Sequence, residues 1–311
     1  MKFIAKISSR IAAAALSATM TSAVFADVNV AFFLEWATPN QIAKVEKAYD
    51  NALGEKVNWS NFATGVQMTE AMLAGDIDIA YSQGLAPFVT AVKAKAPIKM
   101  VAVAVVYPPN PCIIRDDSGI TKDNANELEG KSVAVPLNTM ADFSFQEQMK
   151  ALDVDISKIQ VIDQEPADAA VSLADGNVVM ACMYGGNSIS AAKEYGKPLM
   201  TNAETKAAGL FAFDVVSATE KFAQENPDAL RTFLEVTHEA NAAFAKDQSK
   251  IGVIAKDAGM SVDGARAQMA DFQFPTPKAQ LRDFFSKNGS AVSAFKVLGA
   301  DPGTIDTSFL K

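Results

Sequence analysis

The sequence predicts an α/β fold of two lobes, each with a mostly parallel β-sheet flanked by helices. Segments typical of strands and of helices alternate from Val28 to about residue 217. A turn-rich stretch, Tyr107–Pro111, interrupts this alternation and indicates a boundary between lobes. An apolar stretch at 211–217 is expected to return the chain to the first lobe, and two crossings make a hinge. A chain of 311 residues is also long enough for about two domains.

Residues 1–26 are predicted to be a secretory signal peptide outside the fold. Basic residues at positions 2, 6 and 10 precede an uncharged, alanine-rich stretch, and the small residues around Ala26 suit a cleavage site. An uncleaved anchoring helix is the alternative, but serine and threonine interrupt the short apolar run. We therefore expect an exported mature chain that begins near Asp27 and, in a Gram-negative cell, a periplasmic location.

Four strands and three helices are predicted for the first part of the chain. Thr38 precedes Pro39, a pattern typical of a helix start, and this helix is expected to continue to about Leu53. Thr64 caps a second helix, which Gly75 ends. The third helix is predicted at about 86–95, and the strands are predicted at 28–33, 56–62, 77–82 and 98–106.

The second lobe is predicted to span 113–214 and to continue the alternation. Its strands are expected at 131–136, 159–163 and 178–183, its helices at 139–152, 167–174 and 188–195, and an extended segment at 198–201. From Glu220 onward the pattern predicts helices at 222–245, 251–258, 262–272, 277–286 and 291–298. These helices are expected to complete the first lobe, which would comprise 27–112 together with 215–311.

Composition and charge exclude several classes of function. A net charge of −8 without a basic patch argues against a nucleic-acid partner. One histidine and two cysteines leave little material for a metal site or a histidine-based catalytic triad. The sequence also has no phosphate-loop, dinucleotide-binding or hydrolase motif. We therefore expect a protein that is not an enzyme and that needs no cofactor or metal.

The two cysteines, Cys112 and Cys182, lie far apart in sequence, each on a predicted strand. Outside the cytoplasm an oxidising compartment allows such a pair to form a disulfide, which we predict. Two buried free thiols are the alternative. A catalytic cysteine is not expected, because His238 lies in a helical pattern that gives it no reason to meet either thiol.

Loops after the strands are candidate ligand contacts, because open α/β sheets bind ligands at the carboxyl ends of their strands. Ser82 and Gln83 follow the third strand, and Asn138 and Thr139 open a helix in the second lobe. Their side chains and the free backbone N–H groups of a helix start favour an anionic group. These loops contain no lysine or arginine, which suits a small sulfonate or carboxylate held by neutral donors. Helix capping or a tight turn is the alternative role for each residue.

Two acidic residues are candidates for amine recognition. Glu35 stands beside Trp36 at the end of the first strand, where a carboxylate and an aromatic face can bind an ammonium group. Asp214 interrupts the apolar run 210–216, and a buried carboxylate needs a partner. We interpret Asp214 as the acceptor of a ligand amine at the hinge. A structural salt bridge or a hydrogen-bonded core acid is the alternative.

Taken together, these segments resemble the periplasmic solute-binding proteins of nitrate/sulfonate/taurine-type ABC importers, most closely the taurine-binding branch. The likeness covers nearly the whole mature chain, and several short segments in combination make it specific. They are Phe32-Phe33-Leu34-Glu35-Trp36, Thr38-Pro39-Asn40-Gln41, residues 71–80, Ser82-Gln83-Gly84, residues 130–137, Met180-Ala181-Cys182 and residues 213–218.

The resemblance implies a two-lobed periplasmic-binding-protein fold, similar to type II, that closes on a small zwitterion. It implies that Asp214 pairs with the ligand ammonium. It also implies that the Ser82–Gln83 loop and the helix that starts at Asn138 and Thr139 hold the sulfonate. Trp36 and Tyr184 are expected to form walls of the pocket, and Glu35 to share the ammonium.

Two positions depart from the taurine pattern. Asp142 stands where the taurine-binding branch tends to have histidine, and Tyr184 stands where it tends to have tryptophan. A carboxylate one turn into the helix would repel a sulfonate unless it points away or is paired. Asp142 could instead join Glu35 and Asp214 around the cleft, an arrangement that suits a diamine or another cationic amine.

The sequence thus predicts a periplasmic substrate-binding protein of an ABC importer that captures taurine or a related small aminosulfonate. It is expected to be a monomer that closes at its hinge and delivers the solute to a membrane permease with its ATPase. The alternative is the same role with a diamine or another cationic amine as ligand. A partnership with a sensor or chemotaxis receptor is also compatible with the sequence. An enzyme on the same fold would need a reactive histidine or cysteine cluster.

Overall fold

A computed structural model describes residues 27–210 and 212–310. The predicted signal peptide therefore lies outside the described residues. Within them the chain forms ten strands. These are β1 Val28–Phe33, β2 Val57–Phe62, β3 Ile79–Gly84, β4 Ile98–Tyr107, β5 Cys112–Arg115, β6 Ser132–Val135, β7 Gln160–Asp163, β8 Met180–Cys182, β9 Gly196–Pro198 and β10 Ala212–Thr219.

Helices connect the strands and make up most of the chain after β10. They are α1 Asn40–Val45, α2 Ala48–Leu53, α3 Gly65–Ala74, α4 Leu85–Lys93, α5 Met140–Ala151, α6 Pro166–Ala174, α7 Gly186–Ala192, α8 Asn202–Ala207, α9 Glu220–Glu225, α10 Pro227–Lys246, α11 Ile251–Asp257, α12 Val262–Ala270, α13 Pro277–Ala279 and α14 Ser290–Val297. A π-helical turn at Gln280–Phe284 follows α13. None of the helices in the described parts of the chain is both long and apolar enough to cross a bilayer.

The strands form two five-stranded sheets, one in each lobe. The first has the order β2-β1-β3-β10-β4, and the second has the order β7-β6-β8-β5-β9. In the first sheet β1 pairs in parallel with β2 and β3, while β10 runs antiparallel between β3 and β4. In the second, β6 pairs in parallel with β7 and β8, while β5 runs antiparallel between β8 and β9. The predicted α/β fold of two mostly parallel sheets is confirmed, with one antiparallel strand in each.

The antiparallel strands are the first strands after each crossing between the sheets. The chain leaves the first sheet after β4 and returns to it with β10, whose two neighbours lie much earlier in sequence. The helices that follow β10 then pack on the first sheet. Phe233 of α10 belongs to the same core cluster as Ile79, and Phe295 of α14 belongs to the same core cluster as Met100. The lobe limits expected at 112/113 and 214/215 stay a prediction.

Several predicted helices differ from those observed. The helix expected to run to Leu53 is divided into α1 and α2, because Lys47 takes a left-handed conformation with a φ of 57°. The helix expected at 222–245 is divided into α9 and α10 at Pro227, since proline disfavours a helical conformation in the residue before it. The helix expected at 277–286 gives way to the π-helical turn, where the buried Gln280 amide accepts the Val103 N–H at 2.8 Å. Helix α8 was not predicted, although Thr201 and Glu204 form a capping box at its start.

Cys112 and Cys182 form a disulfide that joins β5 to β8. The two residues face each other directly across the antiparallel pair, with their Cα atoms 3.9 Å apart. The bond therefore ties the first strand after the crossing to the middle of the second sheet.

We expect the mature protein, denatured without a reductant, to show no reaction with iodoacetamide. After reduction, both of its cysteines should be alkylated. Intact-mass measurement of the two samples tests this expectation, and alkylation of both thiols before reduction would contradict the disulfide.

Candidate functional site

A cavity lies between the lobes, where the carboxyl ends of strands from both sheets meet. The space in it that a water-sized sphere can occupy is about 30 Å³, so the cavity is narrow in this form of the protein. The first lobe contributes the ends of β1, β3 and β4 and residues of α4 and β10. The second contributes the start of α5 and the loop after β8. The described lining residues are Phe33, Leu34, Trp36, Gly65, Gly84, Pro87, Tyr107, Asn110, Thr139, Met140, Tyr184, Gly185 and Asp214.

Asp214 is the one acidic residue among these lining residues, and none of them is a lysine, arginine or histidine. Its side chain is buried, with a relative exposure of 3%. One carboxylate oxygen, Oδ1, accepts the Tyr107 hydroxyl at 2.7 Å, and Oδ2 accepts the Ser82 hydroxyl at 2.9 Å. Burial raises the pKa of Asp214 from 3.8 to about 7, against the smaller lowering effect of these two hydrogen bonds. The carboxylate has no ion-pair partner among the described residues, so the cavity favours a cationic group.

The residues around Asp214 form a fixed chain of hydrogen bonds. The Trp36 indole Nε1 donates to Ser82 Oγ at 2.9 Å, and Ser82 in turn donates to Asp214. The Trp36 ring also meets the Tyr107 ring edge-on, with centroids 5.0 Å apart. An aromatic wall and a carboxylate therefore stand side by side, the arrangement that binds an ammonium by charge and by ring face.

Three of the six described non-glycine residues with a left-handed backbone lie at strand ends near this cavity, and the other three, Lys47, Lys95 and Asp153, lie elsewhere. Glu35, Ser82 and Asn138 take left-handed conformations with φ of 56°, 62° and 60°. Each belongs to a loop that the sequence singled out. Such conformations cost about 1–3 kcal/mol for residues other than glycine and cluster at ligand sites. The strain at these loops therefore supports a functional role for this edge of the two sheets.

Gln83 is buried in the first lobe and does not line the cavity. Its Nε2 donates to the Gly65 carbonyl at 3.0 Å and to Thr69 Oγ1 at 2.6 Å, and its Oε1 accepts the Ser217 hydroxyl. These bonds connect the end of β3 to α3 and β10. In this structure the Gln83 amide therefore holds elements together and offers no donor to a ligand.

The start of α5 presents Thr139 to the cavity and turns Asp142 away from it. The Thr139 hydroxyl donates to the Pro136 carbonyl at 2.6 Å. The Asp142 carboxylate accepts the Asn138 N–H at 2.9 Å and the Gln146 amide at 2.8 Å. Asn138 and Asp142 line a separate space against α4. Asp142 is thus paired and points away from Asp214.

Glu35 also faces a different space from Asp214. It lines a neighbouring cavity that contains Glu165, where burial raises the pKa of the Glu165 carboxyl. The structure therefore does not bring Glu35, Asp142 and Asp214 together around one pocket. Tyr184 lines both cavities, as do Phe33, Leu34 and Gly185.

Hydrogen bonds cross the cleft and hold the lobes together. The Tyr184 hydroxyl donates to the Ala63 carbonyl at 2.8 Å, and the Gln67 amide donates to Glu165 at 3.3 Å. The Gly186 N–H donates to the Glu35 carbonyl at 3.3 Å. Each bond joins a residue of the first sheet's lobe to one of the second, so the structure represents a closed cleft.

Sequence reasoning did not identify Tyr107, Asn110 or Met140 as site residues. Tyr107 ends β4 and Asn110 follows in the crossing, where all polar residues are candidates because the crossing borders the cleft. Met140 had no such signal, since a methionine in the first turn of a helix is usually a core residue. Within the described residues there is also no cluster of His, Cys, Asp or Glu able to hold a metal ion.

Comparison with known proteins places the chain in a family. The model of the NMT1/THI5 like family matches residues 45–251. The taurine-binding periplasmic protein of Escherichia coli (strain K12) is 21% identical over 296 residues, which cover 92% of this chain and 90% of that protein.

Solved structures show the same fold. The periplasmic aliphatic sulphonate binding protein SsuA from Escherichia coli has a TM-score of 0.69 at 19% identity, covering 88% of this chain and 85% of that one. The periplasmic nitrate-binding protein NrtA from Synechocystis PCC 6803 has a TM-score of 0.65 at 12% identity, covering 88% of this chain and 84% of that one. The two-lobed periplasmic-binding-protein fold and the resemblance inferred from the sequence are both confirmed. The chain belongs to the NMT1/THI5-like family.

Proposed function

We propose that the protein is the solute-binding component of an ABC importer and that it captures a small amine-bearing solute in the cleft between its lobes. The buried Asp214 carboxylate, which faces the cavity without a cationic partner, carries this proposal. A ligand ammonium would supply the missing positive charge. The predicted signal peptide and the names of the taurine- and sulphonate-binding relatives support the importer role and a periplasmic location.

Taurine or a related aminosulfonate is the first candidate ligand. The resemblance to the taurine-binding branch supports it, as does the taurine-binding relative at 21% identity. Asp214, with Ser82 and Tyr107 fixed against it, would take the ammonium, and Trp36 and Tyr184 would wall the pocket. The anionic end would lie toward Thr139 and the start of α5.

A diamine or another cationic amine is the second candidate. Its second ammonium would need a second carboxylate, and Glu35 and Glu165 are candidates because their cavity shares Tyr184 with the central one. A single carboxylate in the central cavity favours a ligand with one amine over a compact diamine.

Hinge closure would couple ligand capture to delivery. The two crossings between the sheets allow the lobes to move apart, and the hydrogen bonds across the cleft would form only when they close. The closed form, with the solute sealed inside, would then dock on the membrane permease. The protein is expected to work as a monomer.

Replacing Tyr184 with phenylalanine is expected to weaken ligand binding about fivefold, because it removes the 2.8 Å bond to the Ala63 carbonyl that joins the closed lobes. The ring that walls the cavity remains. Thermal stability without ligand should change little, since the lost bond belongs to the closed form. Calorimetric titration tests this expectation. An unchanged dissociation constant would mean that the bond from Tyr184 to Ala63 does not stabilise the closed, ligand-bound form.

A thermal-shift screen of residues 27–311 tests the proposed function. The panel contains taurine, ethanesulfonate as a sulfonate without an amine, β-alanine as a carboxylate amino acid, and putrescine. A ligand at one hundred times its dissociation constant adds about 2.7 kcal/mol, which raises the midpoint by a few degrees in a protein of this size. A shift with one or more amines and none with ethanesulfonate is expected. A shift with ethanesulfonate alone would contradict an amine site.

A further inference from the structure

We infer that the cleft selects a monoamine with an apolar body, such as an arylalkylamine, over an amine that carries a sulfonate or carboxylate. The inference rests on the proposed function and narrows its ligand class. The cavity combines one buried carboxylate with apolar walls, and most of its side-chain donors are already engaged by acceptors of the protein itself.

The side-chain donors around the cavity are engaged within the protein. The hydroxyls of Tyr107 and Ser82 donate to Asp214, and the hydroxyls of Thr139 and Tyr184 donate to backbone carbonyls. The indole N–H of Trp36 is bonded as well. The Asn110 amide is the remaining side-chain donor on the described cavity wall. One neutral amide is a weak partner for a sulfonate, whose desolvation is costly.

At the start of α4 a side chain from the other lobe engages one of the backbone donors. The Ala86 N–H donates to Met140 Sδ at 3.3 Å, across the cleft. The next residue, Pro87, has no N–H, so this first turn offers one donor fewer than an ordinary helix start. A thioether therefore stands where an anionic ligand group would need backbone donors.

The start of α5 carries its own negative charge. The Asp142 carboxylate accepts the Asn138 N–H, and Thr139 Oγ1 accepts the Ala141 N–H at 3.2 Å. A carboxylate in the first turn offsets the partial positive charge of the helix start. The carboxylate itself points away from the cavity, so it disfavours a sulfonate at this end by weakening the attraction of the helix start and not by direct contact.

Aromatic and aliphatic side chains form most of the cavity wall. Phe33, Leu34, Pro87, Met140 and Tyr184 all line it in addition to the Trp36 and Tyr107 rings beside Asp214. Burying an apolar ligand group against such a surface is favourable because it removes apolar area from water. A phenyl or branched alkyl group would gain this energy, whereas a sulfonate would lose its hydration.

Two probes that share an aminoethyl chain test the inference. Calorimetric titration at pH 8 compares 2-phenylethylamine with taurine, which carries a sulfonate in place of the phenyl ring. We expect 2-phenylethylamine to bind at least tenfold more tightly, and 2-phenylethanol, which lacks the amine, to bind at least tenfold more weakly than 2-phenylethylamine. Equal or tighter binding of taurine would overturn the inference and leave the proposed function intact. If neither amine binds, both fail.

Two variants separate the contribution of the apolar wall to ligand preference from the contribution of the Asp142 charge at α5. Leu34→Asn alters a wall residue whose side chain is 46% exposed, so folding should tolerate it. It is expected to weaken 2-phenylethylamine severalfold and taurine less, so that the ratio of the two affinities falls. Asp142→Asn keeps the side-chain shape and removes the charge, and it should improve taurine binding relative to 2-phenylethylamine. If neither variant changes the ratio of the two affinities, the wall and the charge do not set the ligand class.

Discussion

Asp214→Asn is expected to weaken amine binding by at least tenfold. In the structure the carboxylate is buried, and its neighbours Tyr107 and Ser82 donate hydrogen bonds that do not neutralise its charge. A ligand ammonium beside it would form a desolvated charge pair, and removing one partner of such a pair costs about 2–5 kcal/mol. A loss of 1.4 kcal/mol is already about tenfold in the dissociation constant. Calorimetric titration measures the dissociation constants of the wild type and the variant for the amine that gives the largest thermal shift.

The stability of the same variant provides a control against misfolding. In the ligand-free protein the raised pKa means that folded Asp214 keeps a proton that the unfolded chain releases between pH 3.8 and about 7. This contribution to the free energy of unfolding is present at acid pH and is lost as the pH rises toward 7. Asparagine does not titrate, so the free energy of unfolding of Asp214→Asn should not decrease in this way as the pH rises. The ligand-free variant should therefore be at least as stable as the wild type at pH 8.

Asp142→Asn is the matched control for Asp214→Asn. Both positions hold buried carboxylates with two hydrogen bonds each, but Asp142 lines a separate space beside α4. We expect this variant to bind the same amine at least as tightly as the wild type. An equal loss of affinity in both variants would mean that Asp214 is not the residue that binds the amine.

The affinity for an amine is expected to fall steeply as the pH drops below about 7. An aliphatic ammonium stays charged up to about pH 10, so its protonation does not limit binding in this range. The binding-competent form of Asp214 is the carboxylate, and its pKa of about 7 leaves most of it protonated at acid pH. Each pH unit below 7 should therefore weaken binding about tenfold, or about a hundredfold by pH 5.

Titrations at pH 5, 6, 7 and 8 measure this dependence, and Asp214→Asn supplies the control. The wild type should lose affinity in the acid range and level off above pH 7. The variant should bind weakly with little dependence on pH. A dissociation constant of the wild type that stays constant from pH 5 to pH 8 would mean that the Asp214 carboxylate is not the group that meets the amine.

Much of the fold is predictable because its signals are local. Alternating apolar segments indicated the strands of both sheets, and Thr64 caps its helix as expected. Thr139 also caps its helix, the role that the sequence left as the alternative to ligand binding. The break at Lys47 was missed, because a left-handed lysine between two helical segments has no local signature. Pro227 did carry a signal, since proline restricts the residue before it, yet the apolar periodicity on both sides favoured one long helix.

The candidate site was less predictable, because its chemistry depends on which partners each side chain finds. Asp214 could be singled out from its apolar neighbours alone. The partners of Gln83 come from α3 and β10, and spacing along the sequence gives no sign of these bonds. The direction of Asp142 likewise depends on Asn138 and Gln146. Residue type and position indicated the edge of the sheet that binds a ligand, whereas side-chain orientation decides which groups remain free.

Counting the protons released on binding tests the Asp214 site most directly. The amine that gives the largest thermal shift is titrated at pH 6 in two buffers with different ionisation enthalpies. Because free Asp214 is mostly protonated at this pH, with a pKa of about 7, binding of an ammonium should release nearly one proton per ligand. Asp214→Asn should release none. Binding by the wild type without proton release, at an affinity that the variant shares, would contradict an amine site at Asp214.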